Sequence, residues 1–141
     1  VVSGENPEKI DQAMVDFGMP MGPIELSDQV GLDVCLDVGT VLGIAPGAEQ
    51  LLKSKCSDNM LGRKTGSGFY EWSDNRAVRS REPLEPKLSD DISRRMLAPM
   101  VDECKKAVQE GVFDSSDDAD AGRIFGTGFP SFRGGPINWA N

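Results

Sequence analysis

The chain contains no histidine among its 141 residues, so carboxylates are the groups left for proton chemistry. Histidine is the usual proton carrier near neutral pH and the usual activator of a Ser or Cys nucleophile; most acid–base and nucleophilic constellations are thereby excluded. Glu25 and Asp28, three residues apart, share one face of any helix they occupy. The plainer assignment for them is an acidic first turn favoured by the helix dipole. Asp114, Asp117, Asp118 and Asp120 invite a calcium loop. Counting from Ser116, however, Ala121 and Thr127 stand at the sixth and twelfth positions, where an EF-hand needs Gly and Glu. That cluster reads as helix capping, and no metal site is expected. Cys35, Cys56 and Cys104 are odd in number and form no CxxC, which argues against a disulfide framework or a zinc site and for a reducing compartment. Cys35 and Cys104 fall on apolar faces, where a thiol behaves as a small inert hydrophobe.

Two glycine-rich stretches test a phosphate assignment. In Gly62–Trp72, GRKTGSGFYEW, Arg63 separates Gly62 from Lys64, so the Walker order is broken. In GTGFPSFRGGP, Gly126 to Gly128 runs into Phe129-Pro130 after a helix, whereas a dinucleotide fingerprint follows a strand and opens a helix. Neither is a nucleotide motif. Lys53, Lys55, Arg63 and Lys64 still form a local basic group suited to an anionic ligand, against the simpler alternative of solvated side chains around tight turns.

The elements that position these residues read as helices. Asn6 caps a helix with Pro7 at its first position, Ile10, Met14 and Phe17 recur at helical spacing, and Gly18 ends it. A rigid turn, Gly18 to Pro23, precedes a second helix with Ile24 and Leu26 inward. Leu32, Val34, Cys35, Leu36, Val38, Val41 and Leu42 are expected to be buried core. A short helix runs through Leu51 and Leu52. Ser89 or Asp90 caps a long helix whose inward face is drawn by Ile92, Met96, Met100, Cys104 and Val108, with a kink at Pro99 and a stop at Gly111. Ser115 or Ser116 caps a further helix carrying Ala121 and Ile124. No alternating strand pattern is evident, so the fold class is all-α. With 38% apolar and 27% charged residues the chain is globular. Its net charge of −8 argues against nucleic acid and anionic membrane as partners. No run approaches the roughly 20 apolar residues of a membrane span.

An imperfect repeat organises the whole. Asp11 leads through Gly18 and Pro20 to Gly22, Pro23 and Ile24; Asp120 leads through Gly126, Gly128 and Pro130 to Gly135, Pro136 and Ile137. The expected division is residues 1–73 as one helical unit lacking its first helix, 74–88 as a charged, proline-broken linker, and 89–141 as the start of a truncated second unit. Both ends are expected to be cut.

Three segments carry a family resemblance: Ile10–Val34, Gly62–Trp72, and the run from Arg95 through DADAGRIFGTGFPSFRGGP to Pro136. In them the chain resembles the C-terminal helical region of the L-3-hydroxyacyl-CoA dehydrogenase family. The likeness is nearest to the multifunctional fatty-acid oxidation enzymes (the alpha subunit of the oxidation complex), which carry this helical domain twice. The resemblance implies a 6-phosphogluconate dehydrogenase C-terminal-like helical fold and an NAD-dependent oxidation of the 3-hydroxyl of an acyl-CoA in β-oxidation. It implies a His–Glu base and NAD held on a separate Rossmann domain, with the family's Asn upstream of Val1. Neither Asn6 nor Asn59 matches that Asn, so no catalytic, cofactor-binding or metal residue is assigned here, and the chain alone is expected to be inactive.

The resemblance also assigns this region a wall of the acyl-CoA cleft, for which Met19, Pro20 and Met21 are the candidates, while Arg63 and Lys64 are candidates for a CoA phosphate. Implied partners are the Rossmann domain, a thiolase subunit and a second copy in a homodimer. The implied location is the cytoplasm of a bacterium, or mitochondria or peroxisomes in a eukaryote. The alternatives are a non-catalytic dimerisation or scaffold module and a dehydrogenase domain for another hydroxy acid, against which the apolar Met19–Pro23 turn argues.

Overall fold

A computed structural model describes residues 4–141. The described residues form seven α-helices, two single 3₁₀ turns and one small hairpin. They divide into two compact units: the residues up to Gln12 with Met21–Pro83, and Ala13–Pro20 with Leu84–Asn141. The helix α1 (Pro7–Phe17) contributes its first half to one and its second half to the other.

In the first unit α1 starts as its sequence dictates, with Asn6 Oδ1 accepting from the Glu8 N–H at 2.8 Å and Pro7 at the first helical position. α2 (Pro23–Val30) and α3 (Leu32–Leu42) are separated by Gly31 alone, whose φ of +110° suits glycine. α4 (Pro46–Ser57) packs back on α3 and buries Leu52. After the 3₁₀ turn Arg63–Thr65, β1 (Glu71–Ser73) and β2 (Arg76–Val78) pair antiparallel, Glu71 opposite Val78. Asp74 and Asn75, both at positive φ, form a two-residue turn that matches strand twist. The sequence showed no strand because three residues are too few for a period of two to register. The helical fold class stands with this hairpin added, and residues 74–83, read in the sequence as linker, belong to the first unit.

Two expectations for this unit are corrected. The inward face of α2 carries Glu25 and Asp28; Leu26 is 50% exposed. Of the stretch expected to be core, Leu32 is buried, whereas Val34, Val38 and Leu42 are exposed and Val41 is 86% exposed. An apolar side chain states a preference for burial, but other elements must supply the cover.

In the second unit α5 (Pro86–Gln109) begins earlier than Ser89, with Pro86 at its first position and Glu85 before it. Ser89 is itself buried and its Oγ lies 3.5 Å from an Asp16 carboxylate oxygen. The helix continues through Pro99, which is exposed. Its buried face is Ser89, Ile92, Ser93, Leu97, Val101 and Cys104, and Met96 is 40% exposed. Strict four-residue spacing overshoots a 3.6-residue turn by about 40° per step, so a face drawn that way rotates off the core. α6 (Ser116–Thr127) is capped by Ser115, whose Oγ accepts from the Asp118 N–H. It turns Ala119 and Asp120 inward and leaves Ala121 exposed. α7 (Pro136–Ala140) closes the chain.

The core of this unit joins Met14, Phe17, Leu97 and Phe129, with Phe17 edge-on to Phe129 and to Trp139 at 5.6 and 5.1 Å between ring centres. A second cluster holds Cys104, Ala119 and Ile137. Leu97→Ala is expected to cost about 2–5 kcal/mol and Met96→Ala under about 1 kcal/mol, a contrast that urea denaturation of both variants measures directly.

Candidate functional site

Asp11 is fully buried at the start of α2. Its Oδ1 accepts from the Ile24 N–H at 2.7 Å, and its Oδ2 accepts from the Glu25 N–H and the Tyr70 hydroxyl, each at 2.8 Å. Those two amides are among the four that a helix leaves without internal partners, and the carboxylate also faces the positive end of the dipole. A Cβ on Gly22 would collide with the Asp11 side chain, so only glycine allows this approach. The arrangement occurs a second time. Asp120 Oδ1 accepts from the Ile137 N–H at 2.8 Å and Oδ2 from the Asn138 N–H at 2.9 Å, and a Cβ on Gly135 would collide with Asp120. The repeated Asp and Gly-Pro-Ile of the sequence thus mark one device: a buried aspartate that seals the next helix. Burial pushes the Asp11 carboxyl above its ordinary range in spite of its three donors, and burial together with the Asp11 charge pushes the Tyr70 phenol up.

Asp28, also fully buried, organises the glycine-rich loop. Its Oδ1 accepts from the Phe69 N–H at 2.9 Å; its Oδ2 accepts from the Tyr70 N–H at 2.9 Å and the Trp72 indole N–H at 3.0 Å. A Cβ on Gly62 would strike the Asp28 backbone and one on Gly68 its carboxylate. Lys55 Nζ donates to the Gly68 carbonyl at 2.7 Å and lies over the Phe69 ring. Gly62 and Gly68 are therefore spent on close approach to Asp28, and Gly126 and Gly128 lie at the end of α6 rather than between a strand and a helix. These residues do not fit a dinucleotide.

Glu25 accepts from Arg79 Nε at 2.8 Å and from Arg81 Nη2 at 3.4 Å, and the Arg79 side chain is 1% exposed. Glu25 and Asp28, adjacent on one helix face as their spacing requires, are thus both committed to internal partners and neither serves as a free base. Burial raises the thiols of Cys35 and Cys56, which keeps them protonated and weakly nucleophilic.

The residues singled out from the sequence are distributed as follows. Met19, half-buried, packs on the Met14, Phe17, Leu97 and Phe129 core, and Pro20 is exposed, both in the second unit. Met21, half-buried, belongs to the first unit, as do the exposed Arg63 and Lys64 of the 3₁₀ turn. Lys64 donates to the Asp33 carboxylate at 2.6 Å and holds that carboxyl below its ordinary range. Lys53 pairs with Glu49 at 2.6 Å. Of the basic group, Lys55 is held by the Gly68 carbonyl and the Phe69 ring, and Arg63 is exposed. Sequence reasoning missed the buried partners Tyr70 and Arg79. It also left the aspartates of the repeat without a role, although an Asp preceding Gly-Pro-Ile in both copies, by 13 and by 17 residues to the Ile, was the available signal.

Among the described residues no helix is long and apolar enough to cross a membrane, and no group of three His, Cys, Asp or Glu side chains is disposed to hold a metal ion. Helices sealed by buried aspartates define a helical domain. A family model described as "3-hydroxyacyl-CoA dehydrogenase, C-terminal domain" matches residues 1–72, and the chain belongs to that family. Among similar proteins are the fatty acid oxidation complex subunits alpha of Vibrio cholerae, 36% identical over 99% of this chain, and Vibrio vulnificus, 37% identical over 99%. The chain spans 22% and 21% of the length of those relatives. Among solved structures, the dehydrogenase part of multifunctional enzyme 1 from C. elegans superposes with a TM-score of 0.63 at 26% identity, covering 83% of this chain and 30% of that one.

Asp11→Ala is expected to cost about 2–4 kcal/mol because it strands two amides and a phenol, and Tyr70→Phe about 1 kcal/mol because both amides keep their acceptor; chemical denaturation checks both. The folded state holds the Asp11 proton to higher pH than the unfolded chain does. The stability contributed by this group is therefore full below the ordinary carboxylate range and falls as pH rises through the raised value. In thermal scans from about pH 4 upward, the Tm of the native chain minus that of Asp11→Asn should shrink. A constant difference would place the Asp11 carboxyl at its ordinary value.

Proposed function

We propose that this chain is the C-terminal helical part of an NAD-dependent 3-hydroxyacyl-CoA dehydrogenase of fatty-acid β-oxidation, an enzyme that oxidises the 3-hydroxyl of an acyl-CoA to a ketone. The observation that carries the reading is the alignment of 99% of the chain, at 36% identity, with the alpha subunit of a fatty acid oxidation complex. Within such an enzyme the chain supplies a wall of the acyl-CoA cleft and contacts to neighbouring domains or subunits. It takes no part in hydride transfer: its buried acids are held by backbone amides, Tyr70 and arginines, and its glycine loop is filled by Asp28. NAD and the proton acceptor belong, in this reading, to the family's separate Rossmann domain, and the isolated chain is inactive.

The wall is assigned to Met19, Pro20 and Met21, whose methionines suit an acyl chain of variable length. The phosphate contact is assigned to Arg63, with Lys64 shared with Asp33. The contact surface is assigned to the exposed apolar face of α3, Val34, Val38, Val41 and Leu42, which a thiolase subunit, a neighbouring domain or a second copy would cover. The cytoplasm of a bacterium is the location that accompanies this reading.

Calorimetric titration of the chain with a medium-chain 3-ketoacyl-CoA, with free CoA as control, tests the substrate assignment. Saturable binding that tightens with acyl length is expected, and its absence in a folded chain leaves the scaffold alternative. Combined Arg63→Ala and Lys64→Ala substitution should weaken acyl-CoA and free CoA alike; unchanged affinity removes the phosphate contact. Sedimentation over a range of concentrations should show association that Val41→Lys abolishes. A single monomer mass throughout removes self-association through α3.

A further inference from the structure

Of the six methionines in the sequence, Met100 holds a position that no other shares among the described residues. The second unit has two buried clusters, one of Met14, Phe17, Leu97 and Phe129 and one of Cys104, Ala119 and Ile137, and Met100 is the partly buried side chain that packs against both. It lies on α5 beside the buried Leu97, Val101 and Cys104, one turn after the outward Met96, which is 40% exposed. It also follows Pro99, which has no N–H to donate, so the helix lacks one rung of its ladder next to this residue. An unbranched thioether suits such a joint, because it adapts to two surfaces at once and makes favourable contacts with rings. Phe17 and Phe129 belong to the first cluster, Trp139 flanks it, and Phe113 flanks the second.

The same choice makes the joint sensitive to oxidation. Met100 is not sealed, as Met14 is at 4% exposure, nor is it idle on the surface like Met96. A sulfoxide at Met100 would press a strong acceptor oxygen against two apolar clusters. An acceptor left unpaired there costs more than the thioether contacts return, so the oxidised side chain turns to water and leaves both. We propose that Met100 is an oxidation-sensitive modification site of the second unit, with a hydroperoxide as its oxidant. The Sδ lone pair attacks one peroxide oxygen, and the S–O bond forms as the O–O bond breaks. The departing oxygen takes the proton of the attacked one and leaves as water or an alcohol; sulfur loses two electrons and the peroxide gains them. A thiol-dependent sulfoxide reductase reverses the change. The element biased is the seating of α6 and α7 on α5, since Cys104, Ala119 and Ile137 join these three helices in one cluster.

The test adds hydrogen peroxide in steps to the native 141-residue chain. Peptide mass mapping gives the sulfoxide fraction at each methionine, and the indole N–H signals of the two tryptophans, resolved by NMR, report each unit by itself. Trp139 flanks the first cluster of the second unit, whereas Trp72 donates to Asp28 in the first unit. Met96 is expected to oxidise before Met100 and Met14 last. The Trp139 signal should move in step with the Met100 fraction while that of Trp72 stays, and the Tm should fall by about 5–10 °C. Met100→Leu, a swap of similar volume, should remove most of that loss and Met96→Leu none of it, and methionine sulfoxide reductase should restore the native Tm. If Met100→Leu fails to fold, the relation between the Trp139 signal and the Met100 fraction in the native chain decides alone. The inference is overturned if Met100 stays reduced in the folded chain, if its full oxidation leaves the Tm and the Trp139 signal unchanged, or if oxidised Met100→Leu loses as much Tm as the native chain.

Discussion

A carboxylate taken out of water needs donors that cannot leave, and a helix N-terminus offers amides that need an acceptor. Asp11 and the start of α2 satisfy each other on these terms, as do Asp120 and the start of α7. Each pair requires a glycine immediately before the proline, because the backbone must come within side-chain-free distance of the aspartate. The direction in which α2 and α7 leave their turns is set by this closure. Everything downstream in the first unit, including the placing of Glu25 and Asp28 on the inward face, follows from it.

That inward face gives the first unit an unusual interior. Asp11, Glu25 and Asp28 are buried together with the side chain of one arginine, Arg79. Among the described residues every buried side-chain polar atom has a partner. Such a network contributes less to stability than its number of bonds suggests, because desolvation offsets most of the attraction, but removal of any member exposes the full cost of the rest. Its evident effect is geometric. Asp28 pins the loop from Gly62 to Trp72, and Glu25 pins the segment after the hairpin through Arg79. For the fold the consequence is that acids this thoroughly bonded act as scaffolding.

The surface is largely ionic, with apolar side chains exposed among the charges. α3 exposes four aliphatic side chains, and the paired turns of the second unit expose Phe132 and Pro20. Exposed apolar side chains of this kind are suited to packing against another body.

Local chemistry made part of this legible without coordinates. Asn6-Pro7 and Ser115 begin helices because the cap and the first turn are neighbours in the chain, and Gly111, at a φ of +74°, follows α5 for the same reason. The repeat itself was visible, since an Asp followed by Gly-Pro-Ile recurs in the same order. The family resemblance came from the same kind of information, ordered motifs along one chain. What the tertiary structure decided was which side of each helix faces inward and who bonds to whom across long separations. Acidic Glu25 and Asp28 are buried and apolar Val41 is exposed because burial depends on cover from elsewhere: Tyr70 and Arg79, 59 and 54 positions from Asp11 and Glu25, meet the acids, and no described element covers α3 at Val41. Hydropathy is a property of one residue and capping of a few, so both can be read in order; desolvation is a property of the assembled fold and cannot.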